Sequence, residues 1–218
     1  MARNKHPEET VQKILNVSLK LFQEKGYEHT TIQDIVDALG MSKGAIYHHF
    51  KSKAEIMDVL SDRYYRSLEW FPDPKDVPGE NGLEKLRYIF RYFLSDSSKE
   101  EIDGMMLPLL RDPKMVSLSL DSVFREGAPY MDRLVRESIA DGSAAPQFPH
   151  ALPEAFMLLT NVWMWTELYR GDREEYRQRL LFCKAMLEHF GLPILTGELV
   201  EVAMDYYDRL LARGIPKE

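Results

Sequence analysis

Apolar positions recur at helical spacing along almost the whole chain, and small or imino residues interrupt them at regular intervals. Over residues 8–25, Val11, Ile14, Leu15, Leu19 and Phe22 share one face. Pro7 suits the first turn, Glu8 and Glu9 suit the positive end of the helix dipole, and Gly26 ends the pattern. Thr30 or Thr31 can cap a short second helix carrying Ile32, Ile35, Val36 and Leu39, which Gly40 breaks. Ser42 can cap a third helix running to about Phe50. Ser52 can cap a fourth, with Ile56, Val59, Leu60 and Tyr64 inward. The segment 71–82, FPDPKDVPGENG, has three prolines and two glycines and reads as a loop. Beyond it the spacing predicts helices over about 83–96, 98–110, 113–140, 153–170, 173–189 and 195–213. The break DGSAAPQFPHALP occupies 141–153. There is no strand alternation, so the expectation is an all-α protein.

Helix, Gly40 turn, helix over 31–50 is the spacing of a helix-turn-helix, whose second helix enters the DNA major groove. Here that helix is SKGAIYHHF. Lys43 can donate to guanine O6 and N7, and Gly44 and Ala45 let the backbone come close to base edges. Ser42, His49, Lys51 and Lys53 can hold phosphates, which fix position without reading sequence. Ile46 and Phe50 fall on the inner face. Tyr47 fits a DNA contact or a half-buried core position equally well on spacing alone. The adjacent His48 and His49 point about 100° apart on a helix, a poor arrangement for chelating one metal. No metal site and no cofactor is expected.

Charge sharpens this picture. The chain of 218 residues carries −7 overall, yet residues 1–53 hold eight lysines and arginines against six carboxylates. That leaves +2 in the first quarter and −9 in the rest, a small cationic unit attached to a larger acidic one. Apolar residues make up 44%, enough for a true core. The single cysteine, Cys183, staples nothing internally, and its apolar neighbours are unlike those of an exposed, cation-flanked sensor thiol. No apolar run approaches the ~20 residues of a membrane span, and the N-terminus lacks the apolar core of a signal peptide. A cytoplasmic protein is the expectation.

The stretch TTIQDIVDALGMSKGAIYHHFKSKAEI, residues 30–56, resembles the DNA-binding signature of the TetR/AcrR family of one-component transcriptional regulators. Thr31, Ile35, Gly40, Ser42, Gly44, Tyr47, His49, Phe50 and Lys53 match the family pattern in register. Val36, Leu39, Met41 and Ile56 depart from it, all at inner, apolar positions. The resemblance is specific over about residues 8–60. It implies a helix-turn-helix DNA-binding domain over 1–53, joined by a long fourth helix to a helical effector-binding and dimerisation domain over 54–218. It also implies that Lys43, Gly44 and Ala45 face bases, with His48 as a further candidate. Thr31, Ser42, Tyr47, His49 and Lys53 would face phosphate.

The acidic part has its own signals. The segment 153–170 is apolar almost all round, and a helix of that kind must be covered on every side. Together with 173–190 it predicts a four-helix interface in a homodimer, the alternative being a well-packed monomer core. The resemblance implies the same dimer and a palindromic double-stranded DNA operator. It further implies release when a small effector enters the C-terminal domain, although sequence does not separate repressor from activator. Tyr88, Phe93, Met105, Met106, Leu109, Phe124, Met131, Met157, Trp163 and Tyr169 are candidates for an adaptable apolar pocket, though plain core positions look the same. They favour an apolar or aromatic effector. Asp103, Glu126 and Glu167 leave a cationic one open. There is no phosphate loop, nucleophile elbow, HExxH or CxxC, so nothing points to an enzyme. A helical scaffold with a merely structural helix-turn-helix would have no use for the cations of residues 43–53.

Overall fold

The computed structural model describes residues 7–27, 29–68, 72–97, 100, 103, 113–164 and 172–212, the side chains of Pro7, 64–68 and Lys114 excepted. All regular structure among them is helical, and the chain divides into two compact units, Met1–Ser67 and Leu68–Glu218.

The first unit contains α1 (Pro7–Lys25), α2 (Ile32–Leu39), α3 (Lys43–His49) and most of α4 (Lys53–Leu68). Its core is Ile14, Leu15, Phe22, Ile35, Val36, Ile46, Phe50, Ile56, Met57 and Leu60. All but Met57 were expected inward from the helical spacing, while Val11, Leu19, Ile32, Leu39 and Val59, also expected inward, are half-buried. The sequence placed a domain boundary after Lys53, whereas the compact unit continues to Ser67. Its extension has a physical cause, since Ile56, Met57 and Leu60 are buried and Arg63 Nη1 donates to Gln12 Oε1 of α1 at 2.5 Å. A helix so attached belongs with α1.

The second unit contains α5 (Gly82–Ser95), α6 (Pro113–Ser122), α7 (Ala128–Ala140), α8 (Ala151–Leu158), α9 (Arg173–His189) and α10 (Gly197–Ala212). Its main core joins Leu83, Leu86 and Ile89 of α5 to Met131, Leu134 and Val135 of α7, Leu152 and Phe156 of α8, and Cys183 and Leu187 of α9. Burial pushes the Cys183 thiol up to about 11, so it stays protonated and inert, as its apolar neighbours suggested. The α5 N-terminus is capped by Asn81 just before it and by the segment that follows α7. Gly82 N–H donates to Asp141 Oδ2 at 2.6 Å, Leu83 N–H to Ser143 Oγ at 3.2 Å, and Glu84 N–H to Asn81 Oδ1 at 3.0 Å. Three donors that a helix start leaves open are thereby satisfied.

Gly82 also lies where α5 meets α7 at backbone distance: a Cβ there would stand 2.2 Å from Ser138 N. Gly82→Ala is therefore expected to force the two helices apart and lower stability by about 1–3 kcal/mol, the usual cost of overpacking. A shift of the urea midpoint at unchanged slope checks this. An unchanged midpoint would mean that α5 and α7 approach less closely.

Two segments expected as uninterrupted helices contain π-helical stretches, Val123–Gly127 between α6 and α7 and Leu159–Trp163 after α8. The first has a clear cause. Pro129 offers no N–H, and its ring would strike the carbonyl four residues back, so the turn widens and Ala128 N–H reaches Val123 O. In the second, Thr160 Oγ1 donates to Phe156 O at 2.8 Å and Asn161 Nδ2 to Met157 O at 3.0 Å, satisfying carbonyls beside the wide turn. Apart from Glu100 and Asp103, the expected helix over 98–110 lies outside the described residues, as does the end of the one over 153–170.

Candidate DNA-binding site

The site is assembled by caps. Thr31 and Asp34 form a capping box at the start of α2. Asp34 N–H donates to Thr31 Oγ1 at 3.1 Å, and Thr31 N–H and O–H donate to Asp34 Oδ2 at 2.8 and 2.6 Å. Gly40 ends α2 in the left-handed region at φ 63°, where a side chain would be strained. Ser42 then caps α3 by accepting Ala45 N–H at 3.2 Å. Ser52 accepts Glu55 N–H at 3.1 Å, and Glu55 Oε2 accepts Lys51 N–H at 2.5 Å, which starts α4. The turn and both flanking helix starts are thus fixed by local bonds and not by the core alone.

On α3, Ile46 is fully buried and Phe50 follows it inward. Tyr47 is 45% exposed, so the core alternative for this ring fails and the outward one stands. Ser42, Lys43, Gly44 and His48 are exposed with it, and Ala45 and His49 are half-buried. The Lys43 ammonium lies 6.0 Å from the Tyr47 ring centroid, one turn away. The His48 and His49 rings meet edge to face at 5.1 Å. An added Cβ at Gly44 would meet nothing within 4 Å, so the fold does not require glycine there. Among the described residues no cluster of three or more His, Cys, Asp or Glu is placed to hold a metal.

Thr31 and Lys53, like the capping Ser42, are already engaged. Thr31 spends its donors on Asp34, so a phosphate could take its hydroxyl proton only by displacing that carboxylate. Lys53 Nζ donates to the Tyr27 carbonyl at 2.5 Å and sits 4.2 Å from the Tyr27 ring centroid. The sequence singled out neither Asp34 nor Tyr27. The Thr-x-x-Asp spacing was a readable signal for Asp34, but Tyr27 lies 26 residues from Lys53 and had none.

Asp34 also binds Lys25 Nζ at 2.7 Å. The Lys25 bond first, and the Thr31 bonds after it, hold the Asp34 carboxyl well below the usual carboxylate range. A carboxyl depressed on folding stabilises the fold fully above its unfolded pKa of about 3.9, and that contribution fades as pH falls below it. Asp34→Asn is thus expected to lower the thermal midpoint at pH 7, with the gap to the unmutated chain narrowing as pH drops below about 4. A gap that stayed constant with pH would remove the ionic part of this account.

Comparison with known proteins agrees with this geometry. The family of bacterial regulatory proteins described as the tetR family matches residues 14–60, the span of α1 to α4 in which the capped turn lies. Over that N-terminal span the chain is similar to the tetR family. The transcriptional regulator AcrR of Shigella flexneri is 35% identical over 115 residues, 50% of this chain and 53% of that one. The transcriptional repressor KstR2 of Mycobacterium tuberculosis is 36% identical over 80 residues, 35% of this chain and 38% of that one. The chain spans about half the length, or less, of these curated relatives. A TetR-family regulator of known structure, PfmR from Thermus thermophilus, superposes with a TM-score of 0.51 at 25% identity, over 94% of this chain and 99% of that one.

Five of the residues named as effector candidates lie in or against one apolar cluster. Met131 is buried in the second unit's core, and Tyr88, Phe93, Met157 and Trp163 pack against the same cluster. Phe124 does not join them. Val123 and Gly127 on either side are buried, but Phe124 is 50% exposed. Met105, Met106, Leu109 and Tyr169 lie outside the described residues. The helices expected at the dimer interface are α8 with its π stretch, and α9. On α9, Leu180, Cys183 and Leu187 are buried while Phe182 is 53% exposed, its ring 5.6 Å from that of Trp163. Among the described residues no helix is long and apolar enough to cross a membrane.

Proposed function

We propose that this chain is a ligand-responsive transcriptional repressor that binds a palindromic operator as a homodimer and leaves it when a small apolar or aromatic effector occupies the second unit. The observation that carries the reading is α3. It is capped at both sides of the turn, seated on Ile46 and Phe50, and presents Ser42, Lys43, Gly44, Tyr47 and His48 outward together. Such a face combines a cation for guanine, a glycine for close approach and hydroxyls for phosphate. Ala45, His49 and Lys53 complete the contact set. Thr31 contributes by holding α2 in register. The similar proteins, a transcriptional regulator and a transcriptional repressor, favour the same class.

The dimer reading is supported by Trp163 of the π stretch and Phe182 of α9, an aromatic pair of which Phe182 is left half-open by its own chain. A two-fold dimer sets two copies of α3 about 34–36 Å apart, one turn of DNA, or rather more. Release requires the effector to bind the DNA-incompetent form better, since only that difference shifts the equilibrium. The cluster of Tyr88, Phe93, Met131, Met157 and Trp163 supports an apolar occupant.

Genomic-fragment selection with the purified protein, beside a Tyr47→Ala, Lys53→Ala double variant, tests the reading. The unmutated protein is expected to enrich a palindromic fragment that the variant does not, with affinity falling steeply with salt. Equal enrichment by both proteins, or binding insensitive to salt, would sink it.

A further inference from the structure

Over 155–164 every residue except Thr160 and Asn161 is apolar, and both of these lie in the π-helical stretch Leu159–Trp163. Thr160 is satisfied from within, its hydroxyl donating to Phe156 O at 2.8 Å. Asn161 spends the N–H end of its carboxamide locally as well. Nδ2 donates to Met157 O at 3.0 Å and reaches Thr160 Oγ1 at 3.2 Å. A backbone carbonyl only accepts, so the first of these bonds fixes which end of the amide is which. That leaves the Oδ1 end, and among the described residues nothing donates to it. Asn161 is half-buried, and its amide lies 3.9 Å from Met157 Sδ. Met157 packs against the core cluster of the second unit, and its terminal methyl fills the space that a Cβ on Gly127 would need. Gly127 ends the other π-helical stretch. Both wide turns thus meet at one flexible methionine, with an open acceptor beside it.

We propose that Asn161 is the polar anchor of the effector site: its Oδ1 accepts a hydrogen bond from an uncharged ligand that carries an O–H or N–H on an apolar ring, and the ring takes the place of the Met157 side chain over Gly127. This rests on the reading of the second unit as effector-binding. Methionine is unbranched and changes rotamer at low cost, so Met157 can yield its place to a ligand. A polar oxygen covered by an apolar body loses its water, and the body that covers it must return a hydrogen bond. Oδ1 only accepts, which selects a donor. The side chains that Met157 packs against are apolar or aromatic, so a net charge there would lose its water without gaining a partner. The effector class is thereby narrowed to alcohols, phenols and N–H heterocycles.

The test uses two pairs of probes of matched shape, indole with benzofuran and 1-naphthol with 1-fluoronaphthalene. Only the first member of each pair carries a donor. Each is titrated into the full chain labelled with ¹³C at its methionine methyls, the Met157 signal being assigned from a Met157→Leu variant. Indole and 1-naphthol are expected to shift the Met157 methyl and to bind about 5–10-fold tighter than their partners, the scale of one neutral hydrogen bond. Asn161→Leu should bring the members of each pair to within about twofold of one another while leaving the donor-less probes bound as before. Equal binding within each pair by the unmutated protein would overturn the role of Asn161 and leave the apolar effector reading intact. A preference that survives Asn161→Leu would do the same, since the donor would then be served elsewhere. Failure of all four probes to move the Met157 methyl would overturn the effector reading of this cluster and the anchor with it. Should Asn161→Leu fail to fold, the unmutated protein still decides. The Asn161 carboxamide ¹³Cγ signal should move with indole and not with benzofuran, and a signal that answers both alike would overturn the proposal.

Discussion

Replacing Phe182 by glutamate is expected to turn the proposed homodimer into a folded monomer and to weaken operator binding by at least about 100-fold. Phe182 is 53% exposed on its own chain, while Leu180, Cys183 and Leu187 form the buried face of α9. The substitution therefore leaves the core intact, and the thermal midpoint of the isolated chain should hardly move. In a two-fold interface the same patch meets its own copy, so the two glutamates would be buried against apolar surface and against each other's charge. That costs several kcal/mol per ion, more than a rim contact can offset. Loss of the dimer then removes the second half-site. Coupling two half-sites raises affinity by about 10²–10⁴ over one, and this is the factor a monomer forfeits. Sedimentation velocity gives the oligomeric state, and anisotropy on the selected operator gives the affinity. A Phe182→Glu protein that sediments as a dimer would place the interface elsewhere. A monomer that binds as tightly as the unmutated protein would remove the need for a palindrome.

The first unit was largely legible in the sequence because its determinants are local. Thr31, Gly40 and Ser42 cap and break helices within four residues of themselves, and the apolar spacing of 8–25 and 32–39 marks the buried faces directly. The outward placement of Tyr47 needed the structure, since helical spacing puts it beside the boundary between faces. The extension of the unit through α4 to Ser67 was missed because the pairing of Arg63 with Gln12 spans 51 residues. The Tyr27 seat of Lys53 was missed for the same reason. In the second unit the helix positions followed from periodicity, but the widened turns did not. The proline at 129 was in plain view, and its consequence depends on whether the helix breaks or bulges, which neighbouring helices decide. Effector candidates were the least legible. Buried Met131 and exposed Phe124 have the same kind of sequence signal and opposite fates, because burial there is set by α5, α7 and α8 together.

Gly44→Leu is expected to separate folding from DNA binding. Glycine inside a helix costs about 1 kcal/mol relative to a good helix former, and leucine is one of the best. A Cβ at Gly44 meets nothing within 4 Å, and the residue is exposed, so the added side chain strains no neighbour. The variant should therefore be as stable as the unmutated protein or slightly more so. Its operator affinity should fall by about 100-fold. A side chain on the outward face, one residue from Lys43, holds the α3 backbone away from base edges, and a lost bidentate contact to guanine is worth about 1–3 kcal/mol of discrimination. The energy that remains comes from phosphates, so the residual binding should keep its salt dependence while losing preference for the selected fragment over random duplex. Thermal melts, with anisotropy on selected and scrambled duplexes, measure all three. Undiminished preference would mean that glycine at 44 is tolerated and not used, and that the recognition face of α3 lies around Tyr47 and His48 instead. A large drop in stability would mean that the open space at Gly44 is filled in the folded protein.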